Sequence, residues 1–157
     1  MKSNPVLKPF SGKSAPAHVP IFEGQPRTWR ELQSLVALTF REMGCSAEVE
    51  KSVTTARGTV NIDVLVNDAN ARPMITYVCE CKLWNRRAFQ NVVHGFRTVV
   101  GDTGADVGLI ISSKGFQRGA LAAAENTNVR LLTWEEFQRT FEERWTQSKI
   151  REVGLRG

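Results

Sequence analysis

The stretch Thr59–Trp84, TVNIDVLVNDANARPMITYVCECKLW, restricts the fold more than any other part of the chain. Val60, Ile62, Val64 and Val66 alternate with Asn61, Asp63 and Leu65, and Ile75–Leu83 is rich in β-branched and apolar residues, so both runs read as strands. The polar segment Asn67–Pro73 joins them as a hairpin loop. Side chains two apart on a strand share a face, which projects Glu80 and Lys82 together and sends Cys79 and Cys81 to the other side. Antiparallel pairing brings Asp63 beside Glu80. Two carboxylates and an ammonium then converge, and such hard oxygen donors suit Mg²⁺ or Mn²⁺. A divalent ion held there can bind a phosphate oxygen and activate a water. Lys82 can orient that water or offset the charge of the transition state.

The flanks supply helices and further strands. Thr28 caps a helix running to Met43, with Glu31 in the place of the capping-box partner, Leu32, Leu35, Val36 and Phe40 as the apolar stripe, and Gly44 as the stop. Ser46–Thr55 reads as a first strand, turning at Arg57-Gly58 into the strand that carries Asp63. A second helix is expected over Asn85–Val100, capped by Asn85, with Phe89, Val92, Val93, Phe96 and Val100 inward. Gln90 and His94 share one face of it. The apolar run Val107–Ser112 suits a central strand buried on both faces and reached by a helical crossover. A third helix over Phe116–Glu125, a strand over Val129–Thr133 and a last helix capped by Thr133 and Glu136 complete the order. Trp134, Phe137, Phe141 and Trp145 recur at helical spacing as a packing stripe.

Asp63 on one strand and Glu80-Cys81-Lys82 on the next resemble the D…ExK motif of the PD-(D/E)xK nuclease superfamily. The ordered flanks, Gly58–Val66, Gly104–Ser113 and Gly115–Ala120, resemble its Mrr-like, type IV restriction endonuclease branch, over roughly Thr28 to Phe141. The resemblance implies an α/β, restriction-endonuclease-like fold: an α-β-β-β-α-β core whose mixed sheet is flanked by helices, with an additional C-terminal α-β-α. It implies a Mg²⁺-dependent endodeoxyribonuclease, with Mn²⁺ as a substitute. Asp63 and Glu80 would be the acidic metal ligands, the Cys81 carbonyl a third ligand, and Lys82 the catalytic amine. Glu31 would point into the metal site, unless it serves only its cap, and Gln90 would line the site from the second helix. Arg86, Arg87, Lys114, Gln117 and Arg118 are the candidate DNA contacts; the other reading is a plain solvated face for Arg86 and Arg87 and, around Lys114–Arg118, a turn whose Gly115 and Gly119 only permit close packing.

A single domain over residues 27–148 is expected, preceded by a proline-rich arm over 1–26 and followed by a basic tail over 149–157. The net charge of +5 is compatible with a polyanionic partner such as DNA without requiring one. Three cysteines make no disulfide framework and fit a reducing cytoplasm. A zinc site at Cys79, Cys81 and His94 lacks the usual ligand spacing. No apolar leader or membrane-spanning run is present in the sequence, so neither export nor membrane insertion is expected. Full Mrr-type enzymes usually add a DNA-reading domain, for which this chain has no room, so a targeting partner subunit or a homodimer enters as an expectation. Two other functions stay open: a non-catalytic nucleic-acid-binding or assembly module on the same fold, and a dimeric nuclease resembling Holliday-junction resolvases.

Overall fold

A computed structural model describes residues 20–156. Helix α1 (Trp29–Glu42) precedes strands β1 (Ser46–Thr55), β2 (Gly58–Asp68) and β3 (Ile75–Lys82). Helix α2 (Gln90–Thr103), strand β4 (Val107–Ser112), helix α3 (Arg118–Ala124), strand β5 (Val129–Thr133) and helix α4 (Trp134–Arg156) follow. The five strands form one sheet in sequence order. β1, β2 and β3 pair antiparallel, while β3, β4 and β5 pair parallel, which requires the two helical crossovers. This mixed α/β sheet with helices on both faces is the restriction-endonuclease-like fold.

The two faces bury two cores. On one, Leu32, Val36 and Phe40 of α1 and Trp134 and Phe137 of α4 pack on Val64, Val66, Cys79, Cys81, Leu109 and Ile111. On the other, Val93, Phe96 and Val100 of α2 and Ala120 of α3 pack on Ile62, Val78, Ile110 and Val129. Thr133 and Glu136 close a capping box by exchanging bonds at 3.1 Å, whereas at α1 only half of one forms: Thr28 Oγ1 accepts from the Glu31 N–H at 3.1 Å, and the Glu31 carboxylate takes the Arg27 N–H instead of that of Thr28. Arg144 of α4 sets its guanidinium on Asp68 at the end of β2, at 2.6 and 3.0 Å, and holds that carboxyl below its usual range.

Several local expectations shift. The second helix starts at Gln90 rather than Asn85, because the segment before it is drawn into a bridge between Ala88 and Phe116, and Phe89 takes the cap position. Helix α4 continues beyond Lys149 to Arg156, so the segment read as a basic tail from 149 is part of that helix as far as the described residues reach. The arm over 1–26 lies mostly outside the described residues. Its last part docks on α4 through the Phe22 N–H on Gln138 Oε1 (3.0 Å) and Phe22 stacked on Trp134 (5.9 Å).

The alternation along β2 breaks at one point. Val60 and Ile62 pack toward α2, yet Val64 and Val66 face α1. β1 changes face in step, with Val49 toward α1 and Val53 toward α2. The register is the same on both sides, Val49 opposite Val64 and Lys51 opposite Ile62, so no residue is inserted. The two strands turn over together at Glu50 and Asp63. Glu50 takes the left-handed conformation there, with φ +52°, at a cost on the order of 1–2 kcal/mol for a residue with a Cβ.

Gly108 sets how near α2 lies to the sheet. A Cβ at this position would stand 2.5 Å from Val100 Cγ2 and 2.7 Å from Phe96 Cε1, both buried. Gly108→Ala is therefore expected to lower the unfolding free energy by about 1–3 kcal/mol, as overpacked core positions do, measured by urea denaturation against the parent.

Candidate active site

The turnover at Asp63 opens the sheet. The β2–β3 ladder ends at Val64 opposite Cys79, and beyond it β2 parts from β3. Lys82 directs its C=O to the Ser113 N–H beside β4 (3.0 Å). By strand alternation the N–H and C=O of Cys81 point the other way, toward the departed β2. That N–H needs an acceptor, and Asp63 supplies it through Oδ2 at 2.8 Å. The Cys81 carbonyl leaves the strand on the same side. Glu80 and Lys82 alternate with the buried Cys79 and Cys81, and Lys82 Nζ pairs with Glu80 Oε1 at 2.8 Å.

The electrostatics follow from this crowding. Burial pushes the Asp63 carboxyl above its ordinary range, against the opposing pull of the Cys81 N–H, the Lys82 charge and the polar groups of Gln33 and Trp29. Burial also raises Glu80, the Asp63 charge raises it further, and Lys82 counters both. The two carboxylates are thus close enough to repel, and a cation would relieve both. Burial raises the Cys79 and Cys81 thiols as well, which keeps them neutral core groups rather than thiolate ligands.

This donor set discriminates among metals. Among the described residues no three His, Cys, Asp or Glu side chains gather as a cage. Two carboxylates and a main-chain carbonyl, all hard oxygens, fit Mg²⁺, which takes one or two carboxylates and keeps much of its water. They fit zinc poorly.

The remaining candidates divide. Glu31 lies outside the site: it is exposed, and its carboxylate accepts the Arg27 N–H at 2.9 Å at the helix start. The α1 residue beside Asp63 is Gln33, two positions on and on the buried face. Its Nε2 is buried with no hydrogen-bond partner among the described residues, so its contact with Asp63 is looser than a hydrogen bond. Trp29, one turn earlier, joins it. The signal for both was their four-residue spacing alongside Leu32 and Val36, which a capping box at Glu31 obscures. Gln90 is exposed in the first turn of α2 and lies against Gly119 of α3, with no hydrogen bond to the acid pair.

The basic candidates occupy two loops stitched beside Lys82. Ser113 Oγ donates to the Trp84 C=O (2.9 Å), the Ala88 N–H to Gly115 (3.0 Å) and the Gln117 N–H to Ala88 (2.9 Å). Arg86 packs its guanidinium over Trp84 and Phe89, while Arg87, Lys114, Gln117 and Arg118 are exposed. His94 is exposed on α2 and lines a separate cleft with Arg97, Thr98 and Asn128. No helix of the described residues is long and apolar enough to cross a membrane.

Solved structures share this architecture. A protein of unknown function designated AF1548 aligns with a TM-score of 0.63 at 19% identity, over 78% of this chain and 67% of its own. The VC1899 protein from Vibrio cholerae aligns at 0.57 and 14% identity, over 76% of this chain and 34% of its own. A repair endonuclease from Pyrococcus abyssi aligns at 0.50 and 18% identity, over 73% and 50%. The chain therefore spans about a third of the Vibrio protein and half of the Pyrococcus enzyme, and at these identities the likeness is one of fold. A search of curated proteins finds no match. The Mrr_cat family model, described as restriction endonuclease, matches residues 26–141. With the match covering well over half of its length, and the D…ExK residues inside it, the chain belongs to the Mrr-type restriction endonuclease family.

Proposed function

We propose that this protein is a metal-dependent endodeoxyribonuclease that hydrolyses DNA phosphodiester bonds. The observation that carries the proposal is the meeting of Asp63, Glu80 and Lys82 where β2 parts from β3. Membership of a restriction endonuclease family supports the same reaction class. Asp63, Glu80 and the Cys81 carbonyl would hold Mg²⁺, with Mn²⁺ able to replace it. The bound ion would supply charge neutralisation at the phosphate and a more acidic water. Lys82 has three donors on a flexible stem: it can release Glu80, donate to a phosphate oxygen and offset the negative charge that grows there. The Cys81 N–H keeps the Asp63 carboxylate from rotating away. Arg86, Arg87, Lys114, Gln117 and Arg118 would hold flanking phosphates, which fixes register without reading sequence.

Residues 27–148 would form the nuclease unit. Breaking both strands of a duplex takes two such sites, which a homodimer would provide, and target choice would fall to a partner subunit.

Incubation of supercoiled plasmid with Mg²⁺ tests the reading. Nicking is expected with Mg²⁺ or Mn²⁺ and is expected to stop in EDTA. Asp63→Ala and Lys82→Ala should each cut at least about 100-fold more slowly, the scale for losing a preorganised charge at a reacting phosphate, with unchanged circular dichroism. Full activity in either variant would overturn the site.

Stability gives an independent check. Because the native pKa values of Asp63 and Glu80 are raised, the folded protein binds protons more tightly than the unfolded chain. Its stability therefore falls as pH climbs from the ordinary carboxylate range through the raised one. Asp63→Asn removes one of these charges while Oδ1 still accepts the Cys81 N–H. Its Tm should exceed that of the parent at about pH 7 and converge with it near about pH 4, where unperturbed carboxyls protonate. Scanning calorimetry at both pH values measures the gap.

A further inference from the structure

Trp84 lies two residues beyond Lys82 in the loop that leaves the site. Its main chain is pinned, because Ser113 donates Oγ to the Trp84 C=O (2.9 Å) and its N–H to the Lys82 C=O (3.0 Å). Its side chain is flanked as well. The Phe89 ring is tilted against it with centroids 6.5 Å apart, and Arg86 Cζ stands 5.2 Å from the indole and 4.5 Å from Phe89. Packed against Phe89 and Arg86, the indole brings its ring to 5.0 Å from Lys82 Nζ.

Lys82 has reason to need such a neighbour. Its ammonium ends a four-carbon stem with many rotamers, and its ion-pair partner is Glu80 at 2.8 Å. Glu80 is also one of the two carboxylates a cation would claim, so that pairing competes with the site's other task. The negative face of an indole attracts an ammonium whether or not Glu80 is engaged. The side chain of Lys82 is 23% exposed, which leaves the attraction only partly screened.

We propose that Trp84 is a positioning residue, whose indole holds the Lys82 ammonium at the mouth of the acid pair, in reach of the phosphate to be cut. The proposal takes its purpose from the nuclease reading, whereas its geometry stands apart from it.

Two measurements test it. In protein carrying ¹³Cε-lysine, with the Lys82 resonance assigned by its loss in Lys82→Arg, ring current should shift the Lys82 Hε protons upfield. Trp84→Leu should abolish that shift and Trp84→Phe should keep part of it. In plasmid nicking with Mg²⁺, Trp84→Leu should lower kcat about tenfold with KM within about twofold, a size that a partly desolvated cation–π contact accounts for. Trp84→Phe should recover to within about threefold of the parent. An unshifted Lys82 resonance in the parent overturns the proposal, as does Trp84→Phe failing as badly as Trp84→Leu. A loss confined to KM also overturns it, since that would make the ring a DNA contact. If the parent protein cuts no DNA, the nuclease reading fails, and the resonance still decides whether Trp84 holds Lys82.

Discussion

The main-chain N–H of Cys81 sits inside the protein and must have an acceptor. In an unbroken sheet β2 would supply a carbonyl. Here β2 has turned away, and a side-chain carboxylate takes the carbonyl's place. Asp63 thus completes the sheet and carries a charge at the same time. The arrangement fixes the carboxylate in position through the backbone, but it also places the charge where burial and Glu80 both oppose it. Destabilisation of this kind is what active sites commonly retain, because a ligand can relieve it.

The rest of the fold holds that opening in place. Cys79, Cys81, Leu109 and Ile111 anchor β3 and β4 from below with α1 and α4, and Val78 and Ile110 anchor them from above with α2 and α3. Gly108 lets α2 settle close to β4. At the far end of the same strands, the loops after Lys82 and Ser112 bind each other through Ser113, Gly115 and Ala88. The acid pair lies against a closely packed floor, and the basic side chains lie on a rim whose main chain is hydrogen-bonded to the end of β3.

Much of this was legible in the sequence because it rests on local rules. Thr28 with Glu31 and Thr133 with Glu136 marked the starts of helices; the structure closes the second box in full and the first by its Thr28 half. The alternation through Cys79-Glu80-Cys81-Lys82 gave the correct faces, with both thiols in the core. Tertiary contact moved one helix start. Asn85 looks like a helix cap, yet the bridge between Ala88 and Phe116 holds that segment out of the helix until Gln90. Glu31 suits both a cap and a site; its carboxylate is engaged locally by the Arg27 N–H just before the cap, and Gln33 is the α1 side chain near Asp63. The valines and isoleucine of β2 look like one face when written as letters. A strand buried on both sides shows no trace of a turnover, since either face accepts an apolar residue.

Glu50 stands on the outermost strand, exposed, across the hairpin from Asp63. Its left-handed backbone is part of what turns the hairpin over. A glycine adopts that conformation freely, while a β-branched residue resists it. Evolution could therefore reshape this opening from the protein's rim, through the course of the main chain, while Asp63, Glu80, Lys82 and the arginines beside them stayed untouched.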